Sequence, residues 1–276
     1  MPKLSPSGIV DYLRSPKYYY WSRVYNNGEG LEPLEPSVER YDHDKIFGQV
    51  WAAFVWRFYI GAYSEDNLLQ AREEWYQMTQ GWVPEQIRAR YSGMLNNLAA
   101  DYYTQFSQVD GARTQSEVWY ENDFLRGRVD GINSANVVHE VKTTRHSLQL
   151  AEQLWKVENS IQVKSYAVLA KAEGVQIEFA FKDAPQVSYR APVRAINRIE
   201  RFRWESELRL SVADIEARGR AVESYTCNPD GCCFVSKNFV RMCPYQVLCD
   251  NPDKVSELAT TMFKPRTRSK DYVRTS

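Results

Sequence analysis

RGRVDGINSANVVHEVK, residues 126–142, reads as two β-type runs joined by a polar turn. The first run spans 124–132 and the second 137–141, with Asn133-Ser134-Ala135-Asn136 between them. Successive side chains of a strand alternate faces, so Glu140 and Lys142 share one face while His139 and Val141 take the other. If the runs pair as a hairpin, Asp130 reaches the face of Glu140 across the ladder. Two carboxylates and an ammonium placed together suit a hard divalent cation with a water beside it.

Working outward, residues 115–121 predict a strand before this hairpin, and 148–172 predict a helical region after it. Leu150, Leu154, Val157, Ile161, Ser165 and Val168 form its seam, with a break near Asn159. Gln162 and Tyr166, four apart, point together from an adjacent face. Gly174 ends the helix, and strands follow over 175–182 and 187–191. The spacing then predicts a long helix from Pro192 to about Arg218; its arginines (Arg194, Arg198, Arg201, Arg203, Arg209) read as a solvated face in preference to a phosphate-tracking one.

Upstream, Ser5 or Ser7 caps a helix through Leu13, and Pro16 opens a second that carries Tyr18, Tyr19, Tyr20 and Trp21. Those aromatics read as core packing before a base-stacking platform. Residues 26–44, rich in Gly, Pro and Glu, read as a surface loop. Three helices are then expected over 45–61, 65–80 and 84–108, the first largely buried through Phe47, Val50, Trp51, Phe54 and Phe58. The residues from Lys264 onward, strongly basic, read as a solvated terminus before a phosphate-touching arm.

The chain has 276 residues, 43% apolar and 25% charged, which is the composition of a globular protein with a sizeable core. Thirty-five basic residues balance 35 acidic ones, so net charge gives no sign of a nucleic-acid partner, and a local basic surface remains compatible with one. The first residues lack the apolar region of a secretion signal and no run reaches the roughly 20 apolar residues of a membrane span, so the expected location is the cytoplasm. All five cysteines lie between Cys227 and Cys249, a clustering that favours a metal site over a disulfide framework.

The order of these features resembles the PD-(D/E)XK nuclease superfamily, in particular its RecB-like and Cas4-like branch with the phage exonucleases. The resemblance is carried by GRVDGI with Asp130, HEVKTT with Glu140 and Lys142, and the Gln162/Tyr166 pair on the next helix. SPSGIVDYLRSPKYYYWSRV near the start and CPYQVLC near the end add to it. It implies an α/β fold: a restriction-endonuclease-like mixed β-sheet core flanked by helices, with an N-terminal helical layer and a C-terminal Cys-rich segment. The expected division is a nuclease domain over 1–225, its helical layer over 1–110, a Cys-rich segment over 226–250 and a basic tail over 251–276.

The resemblance further implies Mg²⁺ or Mn²⁺ held by Asp130, Glu140 and the backbone carbonyl of Val141, with Lys142, Gln162 and Tyr166 completing the catalytic set. Many members carry a histidine four residues after a helix glycine, here Gly48, where this chain has Ala52; Glu117 is the acid considered as its substitute, with Glu121 behind it. Iron-sulfur members pair an N-terminal cysteine with three C-terminal ones, and Ser15 stands at the first position. Cys233, Cys243 and Cys249 match the others, and Cys227 or Cys232 completes a four-thiolate site for a [4Fe-4S] cluster or Zn²⁺. The function implied is a metal-dependent deoxyribonuclease, an exonuclease acting on DNA ends or single strands in recombination or repair, in a bacterial or phage-infected host cell. A homo-oligomer or a recombination-protein partner is compatible with it. The rival reading is a nuclease-fold DNA-binding or assembly module that has lost catalysis with the early ligand.

Overall fold

The computed structural model describes residues 3–33, 42–59, 65–106, 113–144, 149–183, 185–226, 234–236, 239–241 and 243–265. They fall into two compact units, Arg40–Ser206 and a second made of Met1–Glu39 with Glu207–Ser276. Among the described residues no helix is long and apolar enough to cross a membrane.

The discontinuous unit opens with α1 (Pro6–Arg14), whose N-terminus is capped by Ser5: its hydroxyl accepts from the Gly8 amide. Ser15 ends α1 and, fully buried, caps α2 (Pro16–Tyr19) by accepting from the Tyr18 amide. A π-helical turn over Tyr20–Val24 follows, then α3 (Tyr25–Gly28). The wider turn rotates the aromatic run so that Tyr19, Tyr20 and Trp21 are all buried, and Tyr18 packs edge-on against Tyr245.

Part of the expected loop over 26–44 is a strand instead. β1 (Leu31–Pro33) pairs antiparallel with a strand far along the chain, Phe263–Pro265. Gly30 introduces β1 with φ +70, and a Cβ there would run into the Ser22 carbonyl. Both the backbone conformation and the close approach therefore demand glycine. Gly30→Ala is expected to destabilise this unit by about 3 kcal/mol, read as a lower urea midpoint; a midpoint equal to wild type would disprove it.

The continuous unit begins with α4 (Asp42–Tyr59), α5 (Glu65–Thr79) and α6 (Glu85–Phe106), close to the expected bounds. Phe47, Trp51, Phe54 and Phe58 interlock with Trp75, Leu95, Leu98 and Tyr102 in one core, as the helical spacing of apolar residues requires. The sheet is built from β2 (Arg113–Glu121), β3 (Arg126–Asn133), β4 (Val137–Thr144), β5 (Gly174–Phe181), β6 (Val187–Arg190) and β7 (Arg194–Ala195). Its order is β2-β3-β4-β5-β6, with β7 also on β5. Among the described strands only β4 and β5 run parallel, and that parallel step is what the two helices α7 (Leu150–Glu158) and α8 (Ile161–Leu169) bridge. Ser160 breaks the helical region where expected: its hydroxyl accepts from the Val163 amide and starts α8. The sheet is thus mixed and flanked by helices.

The helix expected from Pro192 starts later, as α9 (Arg198–Arg218), because Arg194 and Ala195 pair with Val175 and Gly174. Arg198, Arg203 and Arg209 are exposed, while Arg201 turns back to donate to the Ala172 carbonyl at 2.7 Å. The division between the units falls inside α9, after Ser206. Beyond it come the hairpin β8 (Phe234–Ser236) and β9 (Phe239–Arg241), α10 (Gln246–Asp250), α11 (Val255–Met262) and β10 (Phe263–Pro265). Lys264 therefore belongs to a strand rather than to a solvated terminus; residues 266–276 lie outside the described residues. Tyr12, Tyr19, Trp21 and Leu31 share a core with Ile215, Tyr225, Tyr245 and Phe263, and the Tyr245 hydroxyl donates to the Leu31 carbonyl at 2.6 Å.

Candidate active site

The hairpin read from the sequence forms as β3 and β4. Its register pairs Ile132 with Val138 and Gly131 with His139, which brings Asp130 opposite Glu140 one step further on. There β4 stays with β5, through Thr144 opposite Phe181. The Val141 amide donates to Asp130 Oδ2 at 3.3 Å, a side chain standing in for a ladder carbonyl. Along β3, Gly127, Val129 and Gly131 are buried while Arg126 is exposed and Arg128 and Asp130 are half-buried, so the acid lies on the less buried face.

Lys142 points to Glu140 and donates to its Oε1, and it also donates to Gln162 Oε1 at 2.9 Å. Gln162 uses its amide to donate to the Tyr166 hydroxyl at 3.1 Å. Asp130, Glu140, Lys142, Gln162 and Tyr166 are therefore brought together by β3, β4 and α8. The four-residue spacing on α8 was the signal for Gln162 and Tyr166, alternation on β4 for Glu140 and Lys142, and hairpin pairing for Asp130.

Electrostatics within this group are strongly perturbed. Glu140 is completely buried, and burial followed by the nearby Asp130 charge raises its carboxyl well above the usual carboxylate range, against the pull of Lys142. Burial works to lower the Lys142 ammonium, but the charges of Glu140 and Asp130 outweigh it and hold the proton on more firmly than in an ordinary lysine. Burial and the same two acids push the Tyr166 hydroxyl up, with Arg128 acting in the opposite sense. Glu140 Oε2 is buried with no described N–H or O–H donor directed at it, and the Asp130 carboxyl is its charged neighbour.

His139 faces the other way, as the alternation requires: it is buried with Nδ1 3.4 Å from Glu178 Oε1. Val141 likewise sends its side chain into the helical core. That face also meets α4, where a Cβ on Gly48 would lie 3.2 Å from Thr143 Oγ1. Ala52, half-buried one turn on, offers no ligating atom. Glu117 sits on β2 between Ser116 and Val118, whose partners are Gly131 and Val129; its side chain lies outside the described residues. Glu121 is exposed at the end of β2, opposite Arg126.

Glu178 itself went unread in the sequence. The Tyr102 hydroxyl donates to its Oε2 at 2.6 Å, with the Tyr59 hydroxyl 3.0 Å from that of Tyr102. Arg190 Nε lies 3.4 Å from Glu178 Oε1, and its guanidinium stacks 4.0 Å from the Phe106 ring centre. Burial lowers the Arg190 pKa to about 10. In the register of β4 and β5, Glu178 stands beside Val141, so this buried cluster lies directly behind the strand that carries the acids. A lone glutamate in the apolar run VQIEFAF was the available signal.

Cys243 is buried and Cys249 half-buried in the aromatic core of the discontinuous unit, where Cys249 Sγ accepts from Trp21 Nε1 at 3.4 Å. Cys227, Cys232 and Cys233 lie outside the described residues. Ser15, at the position of the family's N-terminal cysteine, is committed to capping α2. Among the described residues, no three His, Cys, Asp or Glu side chains form a group that could hold a metal ion.

Residues 3–250 match the sequence profile of the PD-(D/E)XK nuclease superfamily, and the chain belongs to that superfamily. No curated protein matches the chain by sequence. Among solved structures, it is similar to a putative exonuclease from Eubacterium rectale, with 11% identity and a TM-score of 0.47 over 79% of this chain and 82% of that one. A phage-related exonuclease from Haemophilus somnus has 10% identity and a TM-score of 0.35, covering 67% of this chain and 88% of its own. An alkaline exonuclease from Laribacter hongkongensis has 10% identity and a TM-score of 0.33, covering 65% and 94% respectively.

Proposed function

We propose that this chain hydrolyses DNA phosphodiester bonds with Mg²⁺ or Mn²⁺ held at Asp130 and Glu140, and that it works as an exonuclease on DNA ends or single strands. The observation that carries the reading is the buried Glu140 Oε2, which no described donor meets and whose carboxyl neighbours that of Asp130 on the same sheet face. Two ionised carboxylates so placed repel one another, and a cation held by both would relieve the repulsion and give the buried oxygen a partner. Their oxygens, with the Val141 carbonyl, form a hard donor set that suits Mg²⁺ or Mn²⁺ better than softer metals. When bound, such an ion supplies an activated water and positive charge toward the scissile phosphate.

The remaining residues then have distinct roles. Lys142, bonded to Glu140 and Gln162, is placed as a cation that stabilises charge developing on the phosphate. Gln162, tied at one end to Lys142 and at the other to Tyr166, holds that ammonium in place. The exonuclease reading, and a role in recombination or repair, are supported by the resemblance to the RecB-like and Cas4-like branch. A [4Fe-4S] cluster or zinc on the cysteines is a separate structural proposal; a colourless, zinc-free preparation made without air would end it.

The test is degradation of end-labelled single- and double-stranded DNA with Mg²⁺ or Mn²⁺. Wild type is expected to release nucleotides, and Lys142→Ala to be slower by at least about 100-fold. DNA that is bound but left intact by the wild type would reject catalysis in favour of the DNA-binding module that Ala52 suggests.

A further inference from the structure

The less buried face of β3 continues beyond the acids and becomes exposed at Arg126. Arg126, Arg128 and Asp130 alternate on it, at intervals of about 6.7 Å along the strand. Trp119 on β2 stands opposite Arg128 in the register, so its indole belongs to this same face. It is 47% exposed, so part of the indole is open to solvent. The Arg126 guanidinium lies 4.5 Å from the indole ring centre, which restrains the ring at little further entropic cost. Arg128 is close enough to the acids' surroundings for its charge to act on the Tyr166 hydroxyl. From the acids outward, the face thus presents a cation, an exposed aromatic surface and a second cation, with the exposed Glu121 opposite that last one at the far end of β2.

We propose that Trp119, Arg126 and Arg128 form a subsite for single-stranded DNA beside the reacting bond, the indole stacking on a base and the guanidiniums meeting phosphates. This rests on the nuclease reading above. The interval between the arginines is comparable with one nucleotide of an extended strand. Stacking requires a base whose flat face is free, which single strands offer and paired duplex does not. The guanidiniums supply the sequence-independent attraction of a phosphate track. The subsite therefore recognises strand state and leaves base identity unread.

The experiment is a titration of fluorescently labelled oligo(dT) and of blunt duplex DNA against protein carrying Asp130→Asn, which prevents cleavage while the complex forms. Adding Trp119→Ala is expected to weaken oligo(dT) binding about tenfold. Trp119→Phe, which keeps a ring, is expected to weaken it less than about threefold, and duplex binding to move less than about twofold. The Phe variant separates lost stacking from lost folding. Oligo(dT) affinity unchanged by Trp119→Ala overturns the subsite, as does a parent protein that fails to bind oligo(dT). If wild type with Mg²⁺ degrades DNA in either of those cases, the subsite alone falls; if wild type neither binds nor degrades DNA, the nuclease reading falls with it.

Discussion

Glu140→Gln is expected to slow DNA cleavage by about 1,000-fold or more, since it removes one of two carboxylates proposed to hold the ion. The same substitution is expected to stabilise the metal-free protein as pH rises. The folded-state carboxyl of Glu140 is raised by burial and by Asp130, whereas the unfolded chain keeps an ordinary glutamate near about 4.3. Between those two values the folded protein holds a proton that the unfolded chain has released. Its contribution to stability is complete below the unfolded value and is lost as pH rises through the folded one. Metal-free wild type should lose about 1.4 kcal/mol per pH unit in that window from this group. The glutamine variant has no such loss, so its melting temperature should overtake wild type toward alkaline pH. Adding Mg²⁺ should close the gap by stabilising wild type alone. Parallel melting curves across pH, with no crossing and no Mg²⁺ effect, would reject the electrostatic account.

The second large effect concerns the cluster behind the strand. Glu178→Leu removes the acceptor for the Tyr102 hydroxyl and the anion beside Arg190, whose side chain is only 12% exposed. Removing one partner leaves the other charge buried and unmatched, which costs about 3–5 kcal/mol. Glu178→Gln keeps an acceptor for Tyr102 and should cost distinctly less. Adding Arg190→Leu to Glu178→Leu should recover part of the loss, because the stranded charge goes with it. Urea denaturation of the three variants measures this; a single Glu178→Leu variant as stable as wild type would show that the cluster holds nothing together.

Much of the site could be read from local chemistry. Two-residue alternation places Glu140 with Lys142, and four-residue spacing places Gln162 with Tyr166. A turn of Asn133-Ser134-Ala135-Asn136 returns the chain so that Asp130 faces Glu140, with Asn136 taking φ +56 as that turn requires. Glu178 was not readable in this way, because its partners come from α4, α6, β4 and β6 and no local period records them. The pairing of β1 with β10 is hidden for the same reason: Leu31 and Pro265 have no shared pattern, only a shared ladder. At Pro192 the helical reading failed because Arg194 and Ala195 meet β5, a tertiary contact that overrides local preference.

That β1–β10 ladder also sets an order of events during synthesis. The unit Arg40–Ser206 has its whole sequence available once Ser206 has been made, whereas β1 must wait for Phe263–Pro265 to leave the ribosome. Until then Leu31, Trp21 and the neighbouring tyrosines lack part of their core, so the nascent chain carries an unfinished apolar surface at its leading end while the sheet with the acids can already form.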